Sequence, residues 1–441
     1  MIKREFSVYM SSYKEACEWL FNLHRFGIKL GLDQTRQLVD LCGVDDAKLR
    51  FIHIAGTNGK GSTGAMLERC LRANGFKTGF YSSPHLVTAC ERIRIDGEAV
   101  SEKDFLAAVD VVAKAVEVMR SRDMLITYFE AITAMALWIF QKHKCDYIVW
   151  ETGMGGRLDA TNIVQPEISV ITNIALDHEK FLGSDLPSIA SEKAGIVKAN
   201  TPVVTGFMEL EAEEVIRKKA VELAAPYFRA AEVAPLDEDF PAEIAANHQK
   251  FVCKNEIIEL QLNGLMQRRN AQLVIAVLSV LGFWNKTSQQ ALAKTRWPGR
   301  IEFLRNGCFL LDGGHNPHGL QSLADTLKAL YPGKKFDWIF GAFADKDFAG
   351  GLEIIAPLAK SLTAAGFAEE SRLSAAPGEI CRVAAELGIN DCRQTDDLKK
   401  YLEQVCSNHK AGDLPTVIAG SLYLAGEVLE AIAPADHVSA L

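Results

Sequence analysis

Apolar and polar stretches alternate along the chain in a pattern that predicts strands and helices in turn. Short apolar runs bounded by polar residues or glycine are typical of buried parallel strands, and longer amphipathic stretches are typical of helices. The predicted strands include residues 77–81, 147–150, 168–173 and 202–205, and the predicted helices include residues 101–120, 128–144 and 266–281. This alternation predicts an α/β fold with mostly parallel sheets covered by helices.

The stretch 51–63, FIHIAGTNGKGST, predicts a buried strand, a glycine-rich turn and the start of a helix at Ser62. Gly56, Gly59 and Gly61 permit a backbone with positive φ and close approach to a ligand. The following helix directs the positive end of its dipole at the turn, where a chain of phosphates can lie. The stretch therefore predicts a phosphate-binding loop.

Lys60 and the hydroxyl residues after it add charge and ligands to this loop. Lys60 supplies a cation for phosphate oxygens, and Ser62 or Thr63 offers a hydroxyl near Mg²⁺. The spacing departs from G-x-x-x-x-G-K-[ST], so we interpret the loop as a variant of that motif. The alternative is an ordinary strand-to-helix turn that requires glycine.

A Pro-Gly break in TRWPGR, residues 295–300, separates two series of strands and helices. We place the boundary there, with a P-loop ATP-binding domain at 1–296 and a smaller Rossmann-like α/β domain at 297–441. The chain has 441 residues, 48% of them hydrophobic and 24% charged, which suits a globular protein of two or three domains.

Charge, termini and cysteines narrow the class of protein further. The net charge of −8 argues against a general nucleic-acid partner. The charged N-terminal segment lacks a signal-peptide pattern, and the longest apolar run, 131–140, is too short to span a bilayer, so we expect a cytoplasmic protein without a membrane partner. The ten cysteines form no C-x-x-C pair, which favours reduced thiols over disulfides or a zinc site.

Candidate metal ligands follow three of the predicted strands, at the carboxyl edge where ligands bind in open α/β sheets. Ser83 lies in SSPHL, Glu151 opens ETGMGGRLDATN, and His178 lies in LDHEKFLG beside Asp177. Together they predict a divalent cation site next to the phosphate loop. Ser83 could instead begin a turn and His178 could be a core histidine, whereas a carboxylate beside a buried strand, as at Glu151, needs a partner.

A second polar cluster, LLDGGHNPHG, places Asp312, His315 and Asn316 after an apolar strand. Helix capping by Asn316, with Pro317 at the first helical position, is compatible with a functional role for its neighbours. Spacing alone favours a solvated lysine at Lys193, in SEKAGIVK. The GMGG segment is a weak dinucleotide signal, so a dehydrogenase ranks last among the functions considered.

The ordered set GTNGKGST, YSSPHL, ETGMGGRLDATN, LDHEKFLG, SEKAGIVK, WPGR and LDGGHNPHG resembles the folylpolyglutamate synthase and dihydrofolate synthase family of Mur-type ligases. The resemblance covers nearly the whole chain. It implies that Mg²⁺ is bound by Ser83, Glu151 and His178, that Lys193 is carbamylated, and that K⁺ is a further candidate cation. The implied ATP contacts are Asn58, Gly59, Lys60, Gly61, Ser62, Asn270, Arg300 and Asp312.

The resemblance also assigns catalytic and substrate positions. It implies catalytic roles for Lys60, Lys193, Asp312 and His315, with His315 and Ser421 lining the site for the acyl phosphate and glutamate. The implied pterin contacts are Thr127, Tyr128, Phe129, Glu130, Leu158 and Ala160. Where the family often has His-Gln followed two residues later by Asn-Ala, this chain has Met266 and Gln267 before Asn270 and Ala271. Methionine in place of histidine affects one polar contact near the adenine, whereas the Gln and the Asn remain.

The function implied by the resemblance is ATP-dependent ligation of L-glutamate to dihydropteroate, to the γ-carboxylate of tetrahydrofolate, or to both. RLDATN with TYFE favours the bifunctional form. A monofunctional folylpolyglutamate synthase and a nucleotide- or folate-binding protein without ligase activity are the alternatives. Cell-wall ligases carry a sizeable domain before the phosphate loop, for which about fifty residues leave too little room. We expect a monomer.

Overall fold

The computed structural model describes residues 10–23, 32–177, 179–238, 243–368, 373–433 and 437. The chain divides into two compact units, the first drawn from residues up to 233 and from 273–288, the second from 234–272 and from 289 onward. The predicted boundary between 296 and 297 lies near the last of these crossings, and it remains a prediction. None of the described helices has the length and apolar composition needed to cross a membrane.

The first unit is built on one eight-stranded sheet. Its strands are β1 (Arg50–Ala55), β2 (Thr78–Tyr81), β3 (Ile93–Ile95), β4 (Glu98–Ala99), β5 (Tyr147–Glu151), β6 (Pro166–Ile171), β7 (Val203–Thr205) and β8 (Tyr227–Arg229). Its helices are α1 (Tyr13–Phe21), α2 (Asp33–Leu41), α3 (Lys60–Ala73), α4 (Glu102–Arg120), α5 (Tyr128–His143), α6 (Glu179–Leu182), α7 (Leu186–Ala194), α8 (Leu210–Glu222) and α9 (Ala230–Val233). Two further helices, α10 (Leu265–Leu281) and α11 (Lys286–Leu292), run through segments of both units.

The order of strands in this sheet is β4-β3-β2-β5-β1-β6-β7-β8, and the six from β2 to β8 run parallel. The inner strands β1 and β5 are apolar and buried almost throughout, as expected of strands covered on both faces. Because β2, β5, β1 and β6 are neighbours with one direction, the segments that follow them emerge at the same edge. This arrangement places the predicted phosphate loop beside Ser83 and Glu151.

The second unit contains two sheets. Its strands are β9 (Glu243–Ala245), β10 (His248–Cys253), β11 (Glu256–Leu260), β12 (Glu302–Leu304), β13 (Phe309–Leu311), β14 (Phe336–Phe340), β15 (Ala359–Ala365), β16 (Cys392–Thr395) and β17 (Thr416–Ala419), and its remaining helices are α12 (Pro317–Leu330), α13 (Phe348–Ile355), α14 (Pro377–Glu386), α15 (Leu398–Asn408) and α16 (Leu422–Ile432). The six-stranded sheet has the order β12-β13-β17-β14-β15-β16 and is parallel except for β12. The neighbours β13 and β17 therefore deliver Asp312 and Ser421 to one edge.

The antiparallel sheet β11-β10-β9 was not predicted from the sequence. Alternate residues of β10 are buried, as in a sheet with one covered face. The strands are short and rich in charged residues, so their apolar positions give a weaker signal than the continuous runs of β1 and β5.

The prediction that the cysteines are reduced is wrong for one pair. Cys381 in α14 and Cys392 in β16 form a disulfide, with their Cα atoms 5.6 Å apart. The chain reverses between the helix and the strand, which brings residues 11 positions apart within bonding distance. The spacing of cysteines along the sequence does not show this reversal. The other eight cysteines remain thiols.

Candidate active site

The glycine-rich loop between β1 and α3 has the geometry expected of a phosphate-binding loop. Gly56 passes so close to Thr172 that a Cβ at this position would lie 1.8 Å from the Thr172 Oγ1 atom. Gly59 has a φ of +82° and caps α3, which starts at Lys60, two residues earlier than predicted. The amino end of α3 therefore faces the loop, and the positive end of the helix dipole lies where a phosphate can bind.

Residues that follow β6 hold this loop in place. The Thr57 backbone N–H donates to the Asn173 carbonyl at 3.0 Å, and the Asn58 N–H donates to Asn173 Oδ1 at 2.9 Å. The Thr172 hydroxyl donates to the Asn58 carbonyl at 2.6 Å. The sequence analysis did not assign a role to Thr172 or Asn173, although both directly follow an apolar strand at the edge where the other candidates lie.

Two lysines share one carbonyl oxygen of the loop. The Lys60 and Lys193 Nζ atoms each donate to the Gly56 carbonyl at 3.0 Å, and Lys60 also donates to the Thr57 carbonyl at 3.3 Å. Lys193 is 4% exposed, so its interpretation as a solvated lysine is wrong. Burial, followed by the positive charge of Lys60, lowers the pKa of the Lys193 amine to about 7. A large fraction of this amine is therefore neutral near neutral pH.

The candidate metal ligands come from neighbouring strands. Glu151 is the last residue of β5, pairs in register with Ile54 of β1 and is 3% exposed. Ser83 follows β2, the other neighbour of β5, and is half-buried. His178 lies outside the described residues. Within the described part of the chain, no three His, Cys, Asp or Glu side chains form a metal-binding group.

This donor set is compatible with Mg²⁺. Mg²⁺ prefers oxygen ligands, keeps several waters, and is usually held by one or two protein ligands together with substrate phosphates. A buried carboxylate and a hydroxyl at adjacent strand ends match that requirement. A structural zinc site would need four protein ligands, mostly nitrogen or sulfur.

Asp159 organises the segment between β5 and β6. Its Oδ2 atom accepts from the Met154 N–H at 2.8 Å, and its Oδ1 atom accepts from the Thr161 N–H at 3.0 Å and the Thr161 hydroxyl at 2.5 Å. His53 Nε2, 3.0 Å from the Thr161 hydroxyl, must donate to it because that hydroxyl already donates to Asp159. Burial raises the pKa of Asp159. The sequence analysis missed Asp159, although an Asp just before Ala-Thr is a capping signal.

The residues matched to pterin contacts lie on α5 and on the segment after β5. Thr127 and Glu130 form a capping box: the Thr127 hydroxyl accepts from the Glu130 N–H at 3.2 Å, and the Glu130 carboxylate accepts from the Thr127 N–H at 2.9 Å. Phe129 fills the space where a Cβ of Gly153 would lie, so the start of α5 packs on the glycine segment. Arg92 stacks over the Tyr128 ring, 5.4 Å from its centroid.

Leu158 and Ala160 flank Asp159 in the same segment. Leu158 is half-buried and Ala160 is buried. A Cβ at Gly156 would lie 2.8 Å from the Glu192 carbonyl and 2.9 Å from the Lys193 carbonyl, so the segment packs closely on α7. The structure thus brings the candidate pterin segment next to the helix that carries Lys193.

In the second unit, Asp312 closes the loop after β13. Its Oδ2 atom accepts from the Ile301 N–H at 3.0 Å, and its Oδ1 atom accepts from the Gly314 N–H at 2.8 Å. Burial raises the pKa of the Asp312 carboxyl, and the positive charge of Arg300 opposes this effect. Arg300 therefore lies close enough to Asp312 for its charge to act on this carboxyl. His315 Nδ1 donates to the Gly313 carbonyl at 3.0 Å.

The predicted cap at Asn316 is confirmed. Asn316 Oδ1 accepts from the Gly319 N–H at 2.8 Å, and Pro317 is the first residue of α12. Ser421 caps α16, since its hydroxyl accepts from the Tyr423 N–H at 3.1 Å.

Ser421 and Asn270 complete the candidates in the second unit. The Gly420 N–H donates to the Gly314 carbonyl at 2.9 Å, which places the turn of Ser421 against the loop of Asp312. Asn270 in α10 is buried, and its amide donates to Gln267 Oε1 at 2.9 Å. The two polar residues that remain at the departure from the family pattern thus bond to each other.

Comparison with known proteins first defines the class. The Mur ligase middle domain matches residues 54–278, and the Mur ligase glutamate ligase domain matches residues 299–422. The glycine-rich loop lies in the first of these matches, and Asp312 and His315 lie in the second. The chain is therefore a Mur-type ligase by family.

Individual relatives identify the family within this class of protein. The dihydrofolate synthase/folylpolyglutamate synthase of Bacillus subtilis is 33% identical over 95% of this chain and 98% of its own length. The folylpolyglutamate synthase of Lacticaseibacillus casei is 35% identical over 87% of this chain and 90% of its own. The chain belongs to the dihydrofolate synthase/folylpolyglutamate synthase family of Mur ligases.

Solved structures of relatives have the same fold as this chain. Folylpolyglutamate synthase from Mycobacterium tuberculosis in complex with ADP superimposes with a TM-score of 0.86 and 28% identity, covering 95% of this chain and 97% of that one. FolC from Escherichia coli in complex with DHPP and ADP superimposes with a TM-score of 0.83 and 30% identity, covering 96% of this chain and 98% of that one. The predicted fold class is confirmed.

Proposed function

We propose that this protein uses ATP to ligate L-glutamate to dihydropteroate and to the γ-carboxylate of tetrahydrofolate. The observation that carries the proposal is the meeting of the glycine-rich loop, Ser83 and Glu151 at the ends of three adjacent parallel strands. The names of the relatives supply the substrate class. Solved relatives hold ADP, AMPPCP, folate or DHPP, which supports ATP and a folate-type acceptor.

A carboxylate is a poor electrophile, so the first step converts it into an acyl phosphate at the expense of ATP. The N–H groups of residues 58–62 and the amino end of α3 hold the phosphates. Lys60, which donates to the Gly56 carbonyl in this structure, turns its ammonium toward the γ-phosphoryl group and stabilises the charge that develops there. Ser83 and Glu151, with His178, hold Mg²⁺, which when bound supplies further positive charge to the phosphate oxygens.

The second step is attack by the amine of L-glutamate on the acyl phosphate, which gives an amide and releases phosphate. We propose that the loop of Asp312 and His315 and the turn of Ser421 hold the acyl phosphate and the incoming glutamate. We propose that Arg300, Asp312 and Asn270 bind the nucleotide. The hydrogen bonds that Asp312 accepts from the Ile301 and Gly314 N–H groups fix this loop before substrate binds.

Lys193 is proposed to carry a carbamate. Its amine is buried and has a lowered pKa, and a neutral amine attacks carbon dioxide, forms the N–C bond and releases a proton. The resulting carboxylate lies near Lys60 and orients this lysine or a second Mg²⁺. We expect Lys193→Ala to be inactive and to recover activity with a short-chain carboxylic acid such as acetate. Full activity of Lys193→Ala without any added acid would contradict this role.

The acceptor is proposed to lie along the start of α5 and the segment from Gly153 to Ala160. Phe129, Tyr128 and Leu158 offer apolar and aromatic surface for a pterin ring. Thr127 and Glu130 shape the site through their capping box, and the Thr127 hydroxyl also donates to the Glu130 carboxylate at 2.8 Å. A monofunctional folylpolyglutamate synthase is the second candidate, favoured by the similarity to the Lacticaseibacillus casei protein of that name.

One assay tests these proposals together. ATP-dependent phosphate release is measured with Mg²⁺ and L-glutamate, with dihydropteroate and tetrahydrofolate as separate acceptors, and the products are identified by mass spectrometry. Product from both acceptors supports the bifunctional enzyme, and product from tetrahydrofolate alone supports the monofunctional one. Protein that binds ATP but releases no phosphate with either acceptor contradicts the ligase. A K⁺ titration and EDTA treatment in the same assay test the proposed cations, and we expect EDTA to abolish activity.

A further inference from the structure

Two cysteine thiols of the second unit line one cavity. Cys308 immediately precedes β13 and Cys406 lies in the last turn of α15. Both line a cavity of about 470 Å³, and the two side chains lie close enough to interact electrostatically. None of the candidate site residues described above lines this cavity. The proposed ligase reaction gives these thiols no role.

The two thiols differ in ways that suit a stepwise reaction. Cys406 is half-buried and accessible from the cavity, whereas Cys308 is 2% exposed. Burial, followed by the neighbouring Cys406, raises the pKa of the Cys308 thiol to about 12. Cys308 is therefore a protonated thiol at neutral pH, and Cys406 is the thiol that meets a reagent first. Arg305 and His409 line the same cavity, and the Arg305 guanidinium attracts an anionic reagent.

We propose that Cys308 and Cys406 are a modification site that forms a reversible disulfide by exchange with a small anionic disulfide such as oxidised glutathione. The Cys406 thiolate attacks one sulfur of glutathione disulfide, whose S–S bond breaks and releases one glutathione thiolate. Cys308 then loses its proton and attacks the Cys406 sulfur, which releases the second glutathione. Two protein thiols are oxidised and one glutathione disulfide is reduced to two glutathione molecules.

The new bond would act on the loop of Asp312. The Cys308 carbonyl accepts from the Thr416 N–H at 2.9 Å, so Cys308 is part of the pairing between β13 and β17. Strand β13 is three residues long, and Asp312 directly follows it. A disulfide would tie α15 to the start of this strand, and the oxidised protein would hold the Asp312 loop more rigidly. This inference goes beyond the proposed ligase reaction and does not depend on it.

Peptide mapping of the full-length protein tests the bond itself. The reduced protein is incubated with oxidised glutathione at neutral pH, alkylated and digested without reductant. We expect a linked pair of peptides containing Cys308 and Cys406, and its loss after treatment with dithiothreitol. Cys308→Ala should stop at a glutathione adduct on Cys406, whereas Cys406→Ser should give no adduct at Cys308. Cys42→Ala, which removes a buried thiol of the first unit, should behave as the wild type does.

Two results would overturn the inference. Absence of the linked peptides, with Cys406 of the wild type left as a glutathione adduct or open to alkylation, would exclude the disulfide.

The second measurement is hydrogen exchange of residues 309–316, compared before and after oxidation. We expect slower exchange in the oxidised protein. Unchanged exchange in linked protein would exclude the effect on the Asp312 loop. Neither measurement uses ligase activity, so failure here and failure of the proposed function are distinguishable.

Discussion

At the scale of single residues, two lysine side chains that donate to one carbonyl oxygen bring their amino groups close together. Lys60 and Lys193 both donate to the Gly56 carbonyl, and two ammonium groups at that distance repel each other. Lys193 is the more buried of the pair, so burial and this repulsion lower the pKa of its amine. The neutral form of Lys193 is also the form that reacts with carbon dioxide, and the charge of Lys60 therefore favours the proposed carbamylation.

This arrangement predicts a dependence of stability on pH. The pKa of Lys193 is lowered from an ordinary value of 10.5 to about 7. Between these values the unfolded chain binds a proton that the folded chain has lost, so the free energy of unfolding rises with pH. The contribution is complete above the unfolded pKa and is lost as pH falls through the folded pKa. Lys193→Met should reduce the rise by up to about 1.4 kcal/mol per pH unit.

Urea unfolding over pH 7 to 10, in buffer depleted of carbon dioxide, measures this slope. Lys114→Met, at an exposed position of α4, is the matched control and should keep the slope of the wild type. Identical slopes for Lys193→Met and the wild type would show that the Lys193 amine is charged in the folded protein.

The second prediction at this scale concerns Gly56. In Gly56→Ala the new Cβ would lie 1.8 Å from Thr172 Oγ1, so the loop must move, and we expect a loss of about 1–3 kcal/mol in stability together with weaker ATP binding. Gly75→Ala is the control, because Gly75 has a φ of +89° but nothing within 4 Å of its Cβ position. Urea unfolding and calorimetric titration with ATP measure the two effects. Equal losses for both variants would show that backbone strain, and not the contact with Thr172, requires glycine at position 56.

At the scale of elements, α5 begins with a capping box that coincides with a predicted substrate contact. Thr127→Ala removes the hydroxyl that accepts from the Glu130 N–H, and we expect a loss of about 1 kcal/mol in stability. Thr127→Ser keeps this hydroxyl and should retain most of the stability. Thermal unfolding with and without dihydropteroate separates the two roles. A loss of acceptor binding in Thr127→Ala, with unchanged stability of the free protein, would favour the contact over the cap.

Elements with a strong local signal were predicted closely. Helix α4 starts one residue after the predicted helix, and β5 extends one residue beyond the predicted strand. Their long amphipathic or continuous apolar patterns decide the structure locally. Strands β9 to β11 were missed because they are short and half exposed, and each is stabilised by pairing with its neighbours more than by its own pattern.

The residues of the candidate site also differ in how far the sequence alone predicts their roles. The glycines, Lys60 and Glu151 stand in local patterns that indicate their chemistry. The role of Thr172 depends on a hydrogen bond to a residue 114 positions away, and the burial of Lys193 depends on one 137 positions away. Such contacts arise only when the strands assemble, so residue spacing alone favoured the wrong environment for Lys193.

At the scale of the whole molecule, the second unit is assembled from two separate segments of the chain. Asn263, which follows β11, is 2% exposed, and its amide donates to the Ile301 carbonyl at 2.9 Å. The Ile301 N–H in turn donates to Asp312. Asn263 thus connects the antiparallel sheet to the loop that carries the proposed nucleotide and glutamate contacts.

This connection predicts a unit-specific response to Asn263→Ala. The substitution leaves the buried Ile301 carbonyl without this donor, which should cost about 1–3 kcal/mol. Hydrogen exchange should become faster in residues 243–262 and 299–314, while β1 and β5 of the first unit keep the rates of the wild type. Asn408→Ala, at an exposed position of α15, is the control and should change neither region. Faster exchange in β1 and β5, with 299–314 unchanged, would show that residues 234–272 are coupled to the first unit, as the predicted boundary at 296 requires.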